Sequence, residues 1–145
     1  MPTLSRYFVR SALICLAMGF TTGGLILAAK AGAIFPNIWS WLAPHIVLLL
    51  FGWLAQLAIG VAYWILPRML GADRGRPRWA WASFIAFQAG ITLTLLSMVG
   101  LWRPGWRWLF VPGVIAQSVG TLLFVIHAWP RVKPAFVRAD MESGE

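Results

Sequence analysis

The chain has 145 residues, of which 60% are hydrophobic and 11% are charged, and its mean hydropathy is +0.76. A soluble domain carries about 25% charged residues, so this composition excludes a soluble globular protein and predicts an integral membrane protein. The net charge of +8 would also suit a nucleic-acid-binding protein. The basic residues are distributed as in a membrane topology signal, however, so we expect no nucleic-acid partner.

Four apolar segments are long enough to cross a hydrocarbon core about 30 Å thick, and they cover approximately residues 11–31, 44–66, 79–101 and 109–129. The connections between them are short. The sequence therefore predicts an all-α polytopic membrane protein, in which residues 1–145 form a single four-helix transmembrane domain. No residues remain for a separate soluble catalytic domain.

Nine of the twelve basic residues fall on one side of the membrane if successive helices alternate in direction. These nine are Arg6, Arg10, Arg68, Arg74, Arg76, Arg78, Arg131, Lys133 and Arg138. The other side carries Lys30, Arg103 and Arg107. Because cytoplasmic loops are enriched in Lys and Arg, this asymmetry predicts a protein of the cell (inner) membrane with both termini in the cytoplasm.

None of the four segments contains an acidic residue. The four acids are Asp73, Asp140, Glu142 and Glu145, which lie at or beyond the inner surface in the predicted topology. Proton pumps and ion-coupled carriers usually place an acid within the membrane, so this distribution disfavours a transporter. The only cysteine, Cys15, lies in the middle of the first segment, where we expect it to be a small packing residue.

The second segment carries a polar stripe. His45 is followed by Gly52, Gln56 and Tyr63 at offsets of 7, 11 and 18 residues. At about 100° per residue these four positions share one face of an α-helix. An unpartnered polar group costs several kcal/mol in lipid, so this face must contact protein, water or a cofactor.

Other small and polar residues suggest how the helices pack. Gly19 and Gly23 have the GxxxG spacing that permits close helix contact, either in a specific dimer or inside the bundle. Gln88 and Gln117 lie deep within the third and fourth segments. We expect both glutamines to form hydrogen bonds across helices.

The two histidines are predicted to lie near opposite faces of the membrane, so they cannot bind one metal ion within one chain. His127 is at the end of the last helix, where we expect a protonated interfacial anchor. His45 is in the first turn of its helix, which favours the neutral imidazole that binds a metal or heme iron. A hydrogen-bonded interfacial histidine is the alternative for His45.

The second segment also resembles a known family. The pattern consists of His45, Phe51-Gly52-Trp53, Gln56, Gly60, Tyr63-Trp64 and Pro67-Arg68. It is similar to the second helix of a repeat in subunit I of the heme–copper oxidases, closest to the C-family oxidases and nitric oxide reductases. That subunit has twelve helices in three arcs of four. The resemblance implies that His45 ligates a b-type heme, with Gly52 and Gln56 on the same face and Gly52 leaving room for the macrocycle.

The outer loop adds to this resemblance. In the family, arginine and tryptophan of such loops bind heme propionates, which implies this role for Arg103, Trp106 and Arg107. The chain departs from the family at Val47, where one helix of the family has a second histidine. No segment resembles the copper-ligating histidines, so we expect heme b without copper.

The sequence thus favours a membrane b-type heme protein that transfers electrons or binds a diatomic gas such as O₂ or NO. Three copies would reproduce the twelve-helix arrangement, so we expect a homo-oligomer, a trimer first and a dimer second, with a redox partner or a respiratory complex as a further partner. The alternative is a cofactor-free structural or accessory subunit of a respiratory complex. A solute pore along the oligomer axis is a third interpretation. Enzymatic turnover is not assigned, because no reductant site is visible.

Overall fold

The computed structural model describes residues 2–32, 38–66, 77–99 and 104–131. Four helices in these ranges are long and apolar enough to cross a membrane. We name them α1 (Thr3–Lys30), α2 (42–65), α3 (Pro77–Val99) and α4 (Phe110–Ala128). Short 3-10 helices cover Ile38–Trp41, Pro104–Leu109 and Trp129–Arg131. The prediction of an all-α chain with four helices of membrane-spanning length is confirmed.

The predicted helix bounds lie within a few residues of the observed ones except at the start of α1, which begins at Thr3. The hydropathy pattern stopped short of Arg6 and Arg10, but a helix can continue beyond its apolar segment. Pro77 begins α3, where its missing N–H leaves no hydrogen bond unmade. Leu66 ends α2 in an extended conformation, with ψ 130°, as the residue before a proline usually does.

Helix α1 packs antiparallel against α2. The side chain of Cys15 lies beside Gly52, where an added Cβ would stand 2.8 Å from the Cβ of Cys15. One end of the pair is joined by the hydrogen bond that Ser5 Oγ donates to the Gly60 carbonyl, with a distance of 2.6 Å. The prediction that Cys15 is a small packing residue is confirmed.

Helices α3 and α4 form a second antiparallel pair whose backbones are in direct contact. A Cβ at Gly90 would stand 2.5 Å from the backbone nitrogen of Gln117, and one at Gly120 would stand 2.7 Å from the backbone nitrogen of Phe87. Gln117 Nε2 donates a hydrogen bond to Thr94 Oγ1 at 2.8 Å, which confirms the predicted bond across helices. Glycines therefore set the distance between these two helices.

The two helix pairs meet around an apolar cluster toward the end of the bundle where α1 and α3 begin. Its members are Leu4, Phe8, Ile59, Tyr63, Ala80, Phe87 and Ile91. Phe8 of α1 also contacts Phe84 of α3 edge to face, with ring centroids 4.8 Å apart. The opposite end of the bundle, where His45 lies, is outside this cluster.

A π-helical segment interrupts α2 at Leu48–Ala55, between the α-helical parts Leu42–Val47 and Gln56–Ile65. A π-helix has i→i+5 hydrogen bonds and turns less per residue than an α-helix, and such segments are frequent at functional sites. This one lies between His45 and Gln56, so it alters the angle between their side chains. No residue pattern in the segment explains it.

Candidate functional site

His45 is joined to α1 through one ring nitrogen. Its Nδ1 lies 2.8 Å from the backbone carbonyl oxygen of Gly19. A carbonyl oxygen can only accept, so Nδ1 carries the proton and donates. In the neutral ring Nε2 then keeps its lone pair, and it has no hydrogen-bond partner among the described residues. A metal-ligating histidine typically shows this arrangement, with one nitrogen bound to a carbonyl and the other free to coordinate.

The imidazole of His45 lies against a glycine of α1. A Cβ at Gly23 would stand 2.7 Å from His45 Cε1, closer than real Cβ atoms approach another heavy atom. Gly19 is also covered within the protomer, because its added Cβ would meet Leu49 Cδ2 at 2.5 Å. The GxxxG face therefore packs inside the bundle, as the second of its two interpretations predicts.

The middle of the polar stripe is occupied by protein. The space beside Gly52 is filled by the side chain of Cys15, so Gly52 leaves no room for a macrocycle within the protomer. Gln56 is fully buried, and its Nε2 donates to Ser11 Oγ at 2.7 Å and to Gln88 Oε1. The predicted bond of Gln88 across helices is thereby confirmed. Gly52 and Gln56 face α1 and α3.

One atom of the polar group formed by Ser11, Gln56 and Gln88 has no hydrogen-bond partner among the described residues. This atom is Gln56 Oε1, which is buried. A buried acceptor in this state costs about 1–3 kcal/mol. The group therefore joins three helices at the cost of one unsatisfied oxygen, and it contributes less to stability than its two hydrogen bonds suggest.

The loop residues that the resemblance assigns to heme propionates are only partly described. Trp106 and Arg107 lie in the 3-10 helix Pro104–Leu109 and are both exposed. This segment is at the same end of the bundle as His45, because α1 and α3 run in the same direction. Arg103 lies outside the described residues, as do residues 67–76 and the tail from 132 onward.

His127 is part of a cluster that the sequence interpretation missed. Arg131 Nη2 lies 2.7 Å from His127 Nε2, and a guanidinium only donates, so His127 accepts and is neutral. The imidazole also stacks on the Tyr63 ring, with centroids 5.8 Å apart and an interplanar angle of 23°. The expectation of a protonated interfacial anchor is therefore wrong. The i, i+4 spacing of His127 and Arg131 was the available signal.

Arg131 contacts both Tyr63 and His127. Its guanidinium carbon lies 5.4 Å from the centroid of the Tyr63 ring, and the residue is only 2% exposed. The planar guanidinium thus contacts an aromatic ring of α2 and an imidazole of α4 at once. His127 links the ends of two helices and is not presented to a ligand.

Within the described ranges, no group of three or more His, Cys, Asp or Glu residues is placed to hold a metal ion. A heme needs only one or two axial protein ligands, so a single well-oriented histidine is enough for it. His45 is the candidate that meets this requirement, because Nε2 of the other histidine, His127, accepts a hydrogen bond from Arg131 and so has no free lone pair.

No family model, no curated protein and no solved structure matches the chain. The resemblance to the heme–copper oxidases therefore depends only on the residue pattern around His45 and on the loop with Arg103, Trp106 and Arg107. The fold defines a class of protein and no more: a bundle of four helices that are long and apolar enough to span a membrane.

Proposed function

We propose that this chain is a membrane b-type heme protein in which Nε2 of His45 is the axial ligand. The observation that carries the proposal is the 2.8 Å contact between His45 Nδ1 and the Gly19 carbonyl. This hydrogen bond holds the ring in the tautomer that a ligand to iron requires, and it increases the basicity of Nε2. When bound, the heme would supply a one-electron couple and a coordination position for a diatomic gas.

The Nε2 atom of His45 suits a heme iron, but the space beside Gly52 does not admit a heme. The imidazole is half-buried and its Nε2 is unpartnered among the described residues, but Cys15 fills the space next to Gly52. A heme held by His45 would therefore need space other than that beside Gly52. A second copy of the chain would complete the site.

A homo-oligomer remains part of the proposal, a trimer first and a dimer second. The polar stripe of α2 gives no reason for a partner chain, because Gln56 is fully buried within the protomer. The reason for the oligomer is the twelve-helix arrangement of the family that the sequence resembles. His127 is used in the contact with Arg131, so a second histidine ligand would have to be His45 of another copy. With His45 of one copy alone, the iron would be open to CO or NO.

The exposed Trp106 and Arg107, together with Arg103, would bind the propionates of such a heme. A guanidinium matches a carboxylate in shape and charge, and an indole N–H is a further donor. Their exposure leaves Trp106 and Arg107 available for these contacts. The proposed cofactor is heme b without copper, in the cell (inner) membrane with both termini cytoplasmic, and the proposed role is electron transfer or binding of O₂ or NO.

A specific observation favours the second candidate, a cofactor-free accessory subunit of a respiratory complex. The polar stripe of α2 already has protein partners, because Gly52 contacts Cys15 and Gln56 binds Ser11 and Gln88. A stripe that is used for packing needs no cofactor to explain it. In this interpretation the hydrogen bond of His45 to Gly19 only ties α2 to α1.

The visible spectrum of the purified protein tests the two candidates. After expression with added heme precursor, we expect a Soret band equivalent to one heme per protomer or per trimer. His45→Ala should abolish this band, and the matched control His127→Ala should keep it, because His127 is used in the contact with Arg131. A band that survives His45→Ala unchanged would refute the assignment, and a parent protein without a band would favour the accessory subunit.

A further inference from the structure

Two consecutive glycines of α1 have opposite surroundings. A Cβ at Gly23 would stand 2.7 Å from His45 Cε1 and 3.1 Å from His45 Nδ1. A Cβ at Gly24 would have no described atom within 4 Å. A glycine is thus required at position 23 and not at position 24. The glycine at position 23 leaves room for the imidazole of His45.

We propose that Gly23 is a positioning residue that determines which ring nitrogen His45 presents. Without a side chain at position 23, the imidazole can lie against α1 close enough for Nδ1 to reach the Gly19 carbonyl. The proton is then held on Nδ1, and Nε2 is the nitrogen with the free lone pair. The consequence for ligand binding rests on the proposed heme function, but the position of the proton does not.

Real Cβ atoms essentially never come within 3.0 Å of another heavy atom, so with an alanine at position 23 something must shift. The imidazole is the end of a side chain, so it moves more easily than the backbone of either helix. Gly19 is one turn before Gly23 on the same face of α1. An imidazole that is pushed away from α1 at Gly23 therefore also moves away from the carbonyl oxygen of Gly19. A neutral imidazole without this acceptor is free to place its single proton on Nε2, which removes the lone pair that would coordinate a metal.

The apo protein allows a direct test by ¹⁵N NMR of the histidine ring. A His127→Gln background leaves His45 as the only histidine, and Gly23→Ala and Gly24→Ala are compared within it. We expect the background protein and Gly24→Ala to show a protonated Nδ1 and an unprotonated Nε2, and Gly23→Ala to lose this pattern. A Gly23→Ala protein that keeps a protonated Nδ1 would overturn the proposal.

A second variant covers the case in which Gly23→Ala does not fold. If the clash is with the imidazole, His45→Ala should restore folding to Gly23→Ala by removing the atoms that the new Cβ meets. A double variant as unstable as Gly23→Ala alone would show that the glycine is required for another reason, and it would also overturn the proposal.

Hemin titration separates this proposal from the proposed function. Changes to groups that orient a ligating histidine typically cost 10–100-fold in affinity, so Gly23→Ala should bind hemin at least about tenfold more weakly than Gly24→Ala. If the proton moves in Gly23→Ala but the parent binds no hemin, Gly23 positions the ring and the heme function is wrong. If the parent binds hemin and Gly23→Ala binds it equally with Nδ1 still protonated, the heme function stands and the role of Gly23 is wrong.

Discussion

Gly90→Ala should separate α3 from α4 and destabilise the protein. The new Cβ would stand 2.5 Å from the backbone nitrogen of Gln117, whereas ordinary contact begins at 3.4 Å. Since backbone cannot rotate away as a side chain can, the helices must part locally by about 0.9 Å if they are to reach that ordinary contact distance. The nearby bond from Gln117 to Thr94, now 2.8 Å, would lengthen to about 3.7 Å and be lost.

The magnitude follows from three terms. Overpacking of a tight interface costs about 1–3 kcal/mol. Loss of the Gln117–Thr94 bond and of the 2.7 Å bond from Ser83 to the Gly120 carbonyl costs about 0.6 kcal/mol each, the average for such bonds in membranes. Alanine gains about 1 kcal/mol over glycine as a helix former. The net expectation is a loss of about 2 kcal/mol in the free energy of unfolding.

Reversible unfolding in mixed micelles, with denaturing detergent as the variable, measures this difference. Gly24→Ala is the matched control, because it makes the same chemical change where no described atom lies within 4 Å. The control should be as stable as the parent or up to about 1 kcal/mol more stable. A Gly90→Ala protein within about 0.5 kcal/mol of the Gly24→Ala protein would refute the close contact between α3 and α4.

Three further predictions concern the membrane topology, the contact between His127 and Arg131, and the oligomeric state. A membrane-impermeant thiol reagent applied to sealed cells should label Gly105→Cys and not Arg74→Cys; the reverse pattern would invert the orientation. In the same unfolding assay, His127→Ala should lower stability by about 1–2 kcal/mol, because the buried Arg131 loses the acceptor for Nη2; a merely interfacial anchor would give almost no change. Native mass spectrometry in mild detergent should show trimers, or failing that dimers, and monomers alone at micromolar concentration would contradict the assembly.

The polar stripe of α2 shows what periodicity can and cannot predict. The spacing of His45, Gly52 and Gln56 required protein, water or a cofactor on that face, and the structure puts protein there. The sequence of α2 alone could not show whether protein, water or a cofactor covers this face, because that depends on which residues of α1 lie opposite. A small Cys15 meets Gly52, and Ser11 meets Gln56, and neither residue is marked by any pattern of its own.

The existence of the helices was predictable because it depends on hydropathy and on prolines near the helix starts, which are local properties. The glutamine bonds were predictable because an amide deep in a membrane must find a partner on another helix. Two features were not. The π segment Leu48–Ala55 has no signature in its residues, and the stacking of His127 on Tyr63 joins residues of two different helices.

The two histidines show why the environment of the ring decides its chemistry. Both are partly buried, and each makes one hydrogen bond, but His45 donates to a carbonyl while His127 accepts from a guanidinium. The first bond leaves a free lone pair on Nε2 of His45, whereas the second uses the lone pair on Nε2 of His127. Exchange of the partners would exchange the roles: a histidine facing an arginine is bound within the protein, and a histidine facing a backbone carbonyl can bind a metal. His45 is therefore the residue at which the heme proposal is tested.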